Sequence, residues 1–324
     1  MKRQTIKANY LNTISWWDNK IVDWNSAGKL YATDNTQTQL GKYHYAFRFD
    51  SAITSENGEY AFIYKKLGTK GLLLKNGELV REINRSYYCA NVYEFPAKFL
   101  TCENVTYLVH CPIAYNQLDF ENVETGEIIT NMPGRKPSDI FHSRLEISPN
   151  NKFLMSKGWV WHPIDEIVVF DVKECINNPL LLDNAQFYPN VGVEICTASF
   201  IDDHRVLIGS TEEVFDELPK LPPKHISIWD LKTNLLSKST PVKENFGNLF
   251  AISDTLTWDL FNFPKIINID TGDIVDQNTE IDSGKQCSAI INETDYFPAI
   301  IFNKQTKQIA IKGHEKIEIL TPDF

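Results

Sequence analysis

The 324-residue chain lacks any apolar stretch near the ~18 residues that a membrane-crossing helix needs. Its start, Met1-Lys2-Arg3-Gln4-Thr5-Ile6-Lys7-Ala8-Asn9-Tyr10, has basic residues with no apolar segment behind them, so it does not read as an export signal. A concentrated basic surface is missing too: 32 Lys and Arg stand against 42 Asp and Glu, a formal charge of −10. Phosphate-backbone recognition depends on such a surface, so nucleic acid is not an expected partner. The six cysteines (Cys89, Cys102, Cys111, Cys175, Cys196 and Cys287) fit no CxxC or other dense metal spacing. Several sit in apolar surroundings, where Cys acts as a small hydrophobe. These absences lead us to expect a soluble, acidic, cytoplasmic protein with reduced thiols, no cofactor and no membrane or metal role.

Catalytic signatures are equally scarce. The chain has no Gly-x-Ser-x-Gly elbow, no glycine-rich phosphate loop and no His-Glu-x-x-His. The seven histidines are dispersed along its length. His110-Cys111 lies near Cys102 in sequence, but adjacent strand residues point to opposite faces, which makes a shared site a poor expectation. Helical periodicity is nearly absent as well. Gly, Pro and Asx punctuation returns every ~8–12 residues, which suits an all-β chain.

What is present is repetition. A turn of Asx, Thr and Gly between apolar runs recurs as Lys75-Asn76-Gly77-Glu78-Leu79-Val80, Glu124-Thr125-Gly126-Glu127-Ile128-Ile129 and Ile269-Asp270-Thr271-Gly272-Asp273-Ile274-Val275. A diverged copy is Ile228-Trp229-Asp230-Leu231-Lys232-Thr233-Asn234-Leu235-Leu236. Upstream of each comes a second hairpin, as in Ile53–Ile63, Ile147–Met155, Phe200–Ile208 and Phe302–Ile311. Asn, Asp and Gly suit these turns because they tolerate φ > 0 or bond their own backbone. The two hairpins together make a unit of four strands, a to d, near 43–84, 89–133, 141–184, 193–240, 246–278 and 285–320, with a less regular one over 11–42. Seven units average roughly 46 residues, close to the ~40–50 of propeller-blade repeats. We therefore expect an all-β, seven-bladed β-propeller of four-stranded antiparallel blades, one domain over 1–324. The last unit ends without an outer strand, and the segment Gln4–Tyr10 is expected to supply it, pairing both termini and removing an exposed edge.

Two units carry a more specific resemblance. Ile226-Ser227-Ile228-Trp229-Asp230 resembles the third-strand ending of WD40 repeats, Val168-Val169-Phe170-Asp171 is its Phe version, and Ser148-Pro149-Asn150-Asn151-Lys152 resembles their Ser-Pro-Asp-Gly turn. The Gly-His dipeptide that opens many WD40 blades has one loose echo, Gly313-His314, out of place in its unit. The resemblance implies a divergent WD40-like propeller, with Trp229 packed between sheets and Asp171 and Asp230 bonding turn backbone.

In such a blade the a–b and c–d turns share one face of the disc, and the b–c loops and blade-to-blade connections share the other. The a–b and c–d turns here are short and polar. The b–c loops are longer and carry aromatics and prolines: His110–Tyr115, Gly158–Pro163, Thr211–Lys224 and Phe261–Pro264. Aromatic loops on a rigid scaffold suit an interaction face. The expected function is a non-enzymatic scaffold, monomeric on its own. It would bind another protein through Tyr115, Trp159, Trp161, His162, Phe215 and Phe261, and the acidic run Glu212–Glu217 would favour a basic partner. Enzymatic activity is not excluded. The alternative is a propeller enzyme, a metal-dependent hydrolase or a glycosidase using the central channel; Trp16-Trp17 with Asp18 and Asp23 is the cluster that would suit a sugar.

Overall fold

The computed structural model describes residues 1–292 and 297–323, and its strands form seven antiparallel sheets. The sheets follow one another along the chain as blades of a β-propeller. Blade 1 runs from Ser15–Trp17 to Gln37–Gln39, blade 2 from Ser51–Thr54 to Glu78–Asn84, and blade 3 from Lys98–Cys102 to Asp119–Asn122. Blade 4 runs from Ile140–Phe141 to Ile164–Asp171, blade 5 from Val193–Phe200 to Thr240–Pro241, and blade 6 from Leu249–Ala251 to Ile274–Gln277. Blade 7 joins Ile300–Phe302, Ile309–Gly313 and Lys316–Thr321 to the N-terminal strand Lys2–Lys7. The first strands of blades 1 to 6 touch in succession, and that of blade 1 also touches that of blade 7, so they line a central channel.

The apolar content is distributed accordingly. Each space between blades holds its own cluster: Phe62, Phe95 and Phe99 between blades 2 and 3; Leu154 and Phe170 with Phe120 between 3 and 4; Trp229 and Val206 with Met155 between 4 and 5. Trp258 and Leu260 meet Ile309 and Leu320 between blades 6 and 7, and Ile6 and Ile317 meet Ile21 and Tyr31 between 7 and 1. Most blades therefore bury both faces, which is why their strands read as continuous apolar runs rather than strict alternation.

The repeated turns have a common mechanism. Asn122 accepts hydrogen bonds from the N–H groups of Glu124 (2.9 Å) and Thr125 (3.3 Å), and Gly126 then takes φ +76°. Asn268 does the same for Asp270 and Thr271 ahead of Gly272, and Asp230 binds Thr233 ahead of Asn234. The Asx residue two or three positions before the turn thus replaces missing backbone partners.

Two blades depart from the expected four strands. In blade 3 the outer strand shrinks to a single bridge between Glu121 and Ile128. In blade 4 the c–d connection is not a short turn. It forms a helix, Val172–Asn177, and a 3-10 turn, Pro179–Leu182, before Phe187 bridges back to Val169. Asp171 caps that helix by accepting from the N–H of Glu174 (3.1 Å), and Asp-x-x-Glu is the N-terminal signature that the repeat pattern had concealed.

The N-terminal strand pairs antiparallel with Lys316–Thr321, Lys2 opposite Thr321 and Lys7 opposite Lys316. A charged clasp reinforces this pairing. Glu318 accepts from Arg3 Nε and NH2 (3.1 and 3.0 Å) and from the Thr5 hydroxyl (2.7 Å). Burial pushes the Glu318 carboxyl up, but the bonds from Arg3, Lys316 and Thr5 outweigh it and hold the group down at about 2. A depressed carboxylate stabilises the fold above its unfolded pKa and loses that contribution as pH falls through its folded one. Glu318→Gln is thus expected to cost on the order of 1–3 kcal/mol at neutral pH and nothing near pH 2, seen as convergence of the two proteins' urea midpoints below about pH 4. Deleting residues 1–10 should lower the melt of the whole ring; an unchanged melting temperature would refute closure by this strand.

Trp229 is 1% exposed between blades 4 and 5, with its indole N–H donated to Asn234 Oδ1 at 2.8 Å. Trp229→Ala should cost about 3–5 kcal/mol in denaturant melts, the penalty for a large buried ring.

Candidate functional site

The face carrying the b–c loops and the blade connections is built around one aromatic cluster. Its floor is Phe141, at the start of the first strand of blade 4, stacked on Trp159 of the second strand with ring centres 3.9 Å apart and planes 6° apart. The two residues are directly paired in the sheet, so register alone sets the stack. Gly158 beside them has no side chain because the Phe141 carbonyl lies 2.3 Å from where a Cβ would be. Trp161, Tyr88 and Tyr115 stand on this floor, with centres 5.5, 5.8 and 4.6 Å from Phe141. Trp161 is 45% exposed, Tyr88 46% and neighbouring Tyr87 84%. The Tyr115 hydroxyl donates to Asp139, and burial together with that bond raises its pKa.

Tyr87 and Tyr88 belong to the connection between blades 2 and 3, and Arg85 shapes that loop. Its buried guanidinium donates to the carbonyls of Gly68 (2.7 Å), Ala90 (2.8 Å), Tyr93 (2.8 Å) and Glu94 (3.2 Å), and it lies over the rings of Tyr93 and Phe95. Among the described residues no carboxylate is in ion-pair contact with it; burial lowers its pKa and the carbonyl dipoles satisfy its donors.

The connection between blades 6 and 7 completes the face. It leaves blade 6 at a bridge between Asn262 and Gly284, then donates the Ala289 N–H to Asp165 of blade 4 (2.8 Å) and the Ile291 N–H to the Val92 carbonyl (2.8 Å). Tyr93 and Ile290 bridge at the same place, and Ala289 packs with Phe141 and Trp159. The segment therefore reaches across the mouth of the channel and ties blade 6 to blades 3 and 4. Burial pushes the Asp165 carboxyl up to about 6, against the opposing pull of Arg144.

Of the six residues expected on this face, Tyr115, Trp159 and Trp161 come together. Trp159, 3% exposed, is the floor rather than a surface contact. His162 is exposed in the turn beside Trp161, with φ +100°. Phe215, 50% exposed, stands on the blade 5 loop, whose Phe215 N–H donates to the Gly192 carbonyl (3.0 Å). Phe261, half-buried at the blade 6 turn, accepts from Lys265 Nζ through its carbonyl (2.6 Å). Among the described residues neither stacks on another aromatic ring. Tyr87, Tyr88, Tyr93 and Phe141 escaped the sequence reading because they lie outside the b–c loops; the paired Tyr87-Tyr88 beside a lone Arg85 was the signal available.

The other clusters do not assemble. Cys102 pairs with Val105 at the a–b end of its hairpin, while His110 pairs with Asp119 at the opposite end and bonds Glu121 (2.8 Å). Trp16 turns toward blade 7 and donates to the Ile301 carbonyl (3.2 Å), whereas Asp23 is buried as a cap for Asn12 and Thr13. Among the described residues no group of three or more His, Cys, Asp or Glu could hold a metal ion, and no helix is long and apolar enough to cross a membrane.

The architecture is that of a WD40-like seven-bladed β-propeller. Among solved structures it is similar to a chain in the "Crystal Structure of Mitotic Checkpoint Complex", with a TM-score of 0.59 and 10% identity over 99% of this chain and 91% of that one. No family model matches the chain, and no curated protein sequence does.

Arg85→Met leaves at least four buried carbonyls without their donor and should cost on the order of 3 kcal/mol. Urea melts with near-ultraviolet circular dichroism measure this; a variant as stable as wild type, with unchanged aromatic signal, would show that other contacts hold the loop.

Proposed function

We propose that this protein is a non-enzymatic interaction scaffold that holds a protein partner on the b–c loop face. The observation that carries the reading is the exposed Trp161 and Tyr88 with half-buried Tyr115 on the Phe141–Trp159 stack, and exposed Tyr87 next to them in the chain. Trp and Tyr on a preorganised support give large contact area at little entropic cost, the composition of binding hot spots. His162 beside Trp161, and Phe215 and Phe261 on the two following blades, extend the surface along one arc of the disc. Asp139 and the exposed Glu212, Glu213, Asp216 and Glu217 border it, which favours a partner with basic residues at its rim. The similar solved chain lies in a complex, which fits this reading without naming a partner. The protein would act as a cytoplasmic monomer before capture.

The alternative, catalysis in the central channel, has less to support it among the described residues. The charged groups there are mainly lysines, a poor set for a divalent ion or for a pair of catalytic carboxylates.

Affinity capture from native cells with mass spectrometry identifies the partner. The Trp161→Ala/Phe215→Ala double variant should lose about tenfold or more in affinity, as expected for removing hot-spot aromatics, while its melt stays near wild type. Capture that survives the double change would place the binding face elsewhere.

A further inference from the structure

The channel of this acidic protein collects lysines. Lys98 comes from the first strand of blade 3, Lys157 from blade 4, and Lys304 and Lys307 from the a–b turn of blade 7 on the opposite side of the ring. Among the described residues Glu146 is the carboxylate in ion-pair contact with one of them. It binds Lys157 Nζ at 2.7 Å, and its other oxygen accepts from the Phe200 N–H at 2.9 Å. Lys157 also donates to the Ala198 carbonyl (3.1 Å) and lies 5.8 Å from the Phe250 ring of blade 6. Among the described residues Lys98, Lys304 and Lys307 have no carboxylate in ion-pair contact. Glu94, which acts on Lys98 from a distance, is held by Lys66 at 3.4 Å. Four ammonium groups and one carboxylate leave three positive charges uncompensated when all are ionised.

Lys98 and Lys304 are surrounded by protein but keep partial exposure to water, as groups on the wall of a narrow lumen do. Burial, and next the ammonium groups facing it, push Lys304 down to about 7 against the pull of Glu146. Lys307 adds a backbone argument. It stands at φ +60° in an Asn303-x-x-Thr306 turn of the kind already described, at the place held by Gly126, Gly272 and Asn234 elsewhere. A lysine there strains the backbone where Gly or Asn would not.

We propose that the channel is a binding site for a small multiply charged oxyanion of the phosphate class, held by Lys98, Lys304 and Lys307 beside the Lys157–Glu146 pair. Such an ion supplies the missing negative charge and fits a site walled by five blades.

Inorganic pyrophosphate is the probe, with titration calorimetry and thermal melts at low salt. Wild type should bind and melt higher with pyrophosphate, more tightly at pH 6 than at pH 8, with proton uptake as Lys304 becomes charged. Lys98→Met and Lys304→Met should each weaken binding about tenfold, the worth of one charge-assisted hydrogen bond. Lys307→Asn should weaken binding while raising the melting temperature of the free protein, because it relieves the strained turn. Lys70→Met, on an exposed ion pair of blade 2, should change nothing. Absence of pyrophosphate binding up to millimolar concentration overturns the site, as does binding unaffected by the channel variants or binding of a phosphoserine peptide alone. None of these readouts depends on the aromatic face or its partner.

Discussion

Each blade is a small twisted sheet with two faces to bury and two edges to protect, and neither need can be met alone. The ring meets both. Apolar side chains of one blade pack into the next, and the free edges point into the channel or outward. Everything depends on the last sheet being completed, because a ring with one incomplete blade leaves Ile317 and Ile319 without the strand that covers them. The pairing of Lys2–Lys7 with Lys316–Thr321, reinforced by Arg3 and Thr5 on Glu318, is therefore the contact on which the remaining clusters rely. It joins residues more than three hundred positions apart, so its loop-closure entropy must be offset by cooperative burial around the circle.

That division of labour explains which parts of the molecule can be read from its sequence. The Asx–Thr–Gly turns are local: Asn122 and Asn268 reach only two or three residues along the chain, so their spacing announces them. Strand number and blade order follow from counting such turns. The helix Val172–Asn177 is local too, capped by Asp171, but its Val168-Val169-Phe170-Asp171 lead-in matched the repeat so well that a short turn was expected after it. Repetition supplied the fold there and hid the exception.

The aromatic face was legible only in part, for a different reason. Trp159 and Trp161 alternate in the sequence and could be placed, the first near the end of its strand and the second in the turn that follows. Tyr88 and Phe141 meet them only because Arg85 folds the preceding connection back over blade 3 and because Phe141 falls opposite Trp159 in the sheet. Both facts are nonlocal. The crossing segment is less legible still: Ala289 and Ile291 reach their partners through backbone N–H groups, which no side-chain pattern reveals.

The same crossing segment gives the two ends of the channel different characters. On the b–c side it joins Tyr93, Phe141 and Trp159 in an apolar cluster across that mouth. On the a–b side the first strands end in short polar turns, mostly acidic except in blade 7, which brings Lys304 and Lys307. A closed ring of packed blades has little freedom to rearrange, so the two proposed sites would communicate through the charge and rigidity of blade 4. That blade holds both the Phe141–Trp159 stack and the Glu146–Lys157 pair, and Trp159 and Lys157 are two residues apart on the same strand. Residues two apart on a strand share a face, so the side chain that pairs with Glu146 and the ring that floors the aromatic cluster are set by one register.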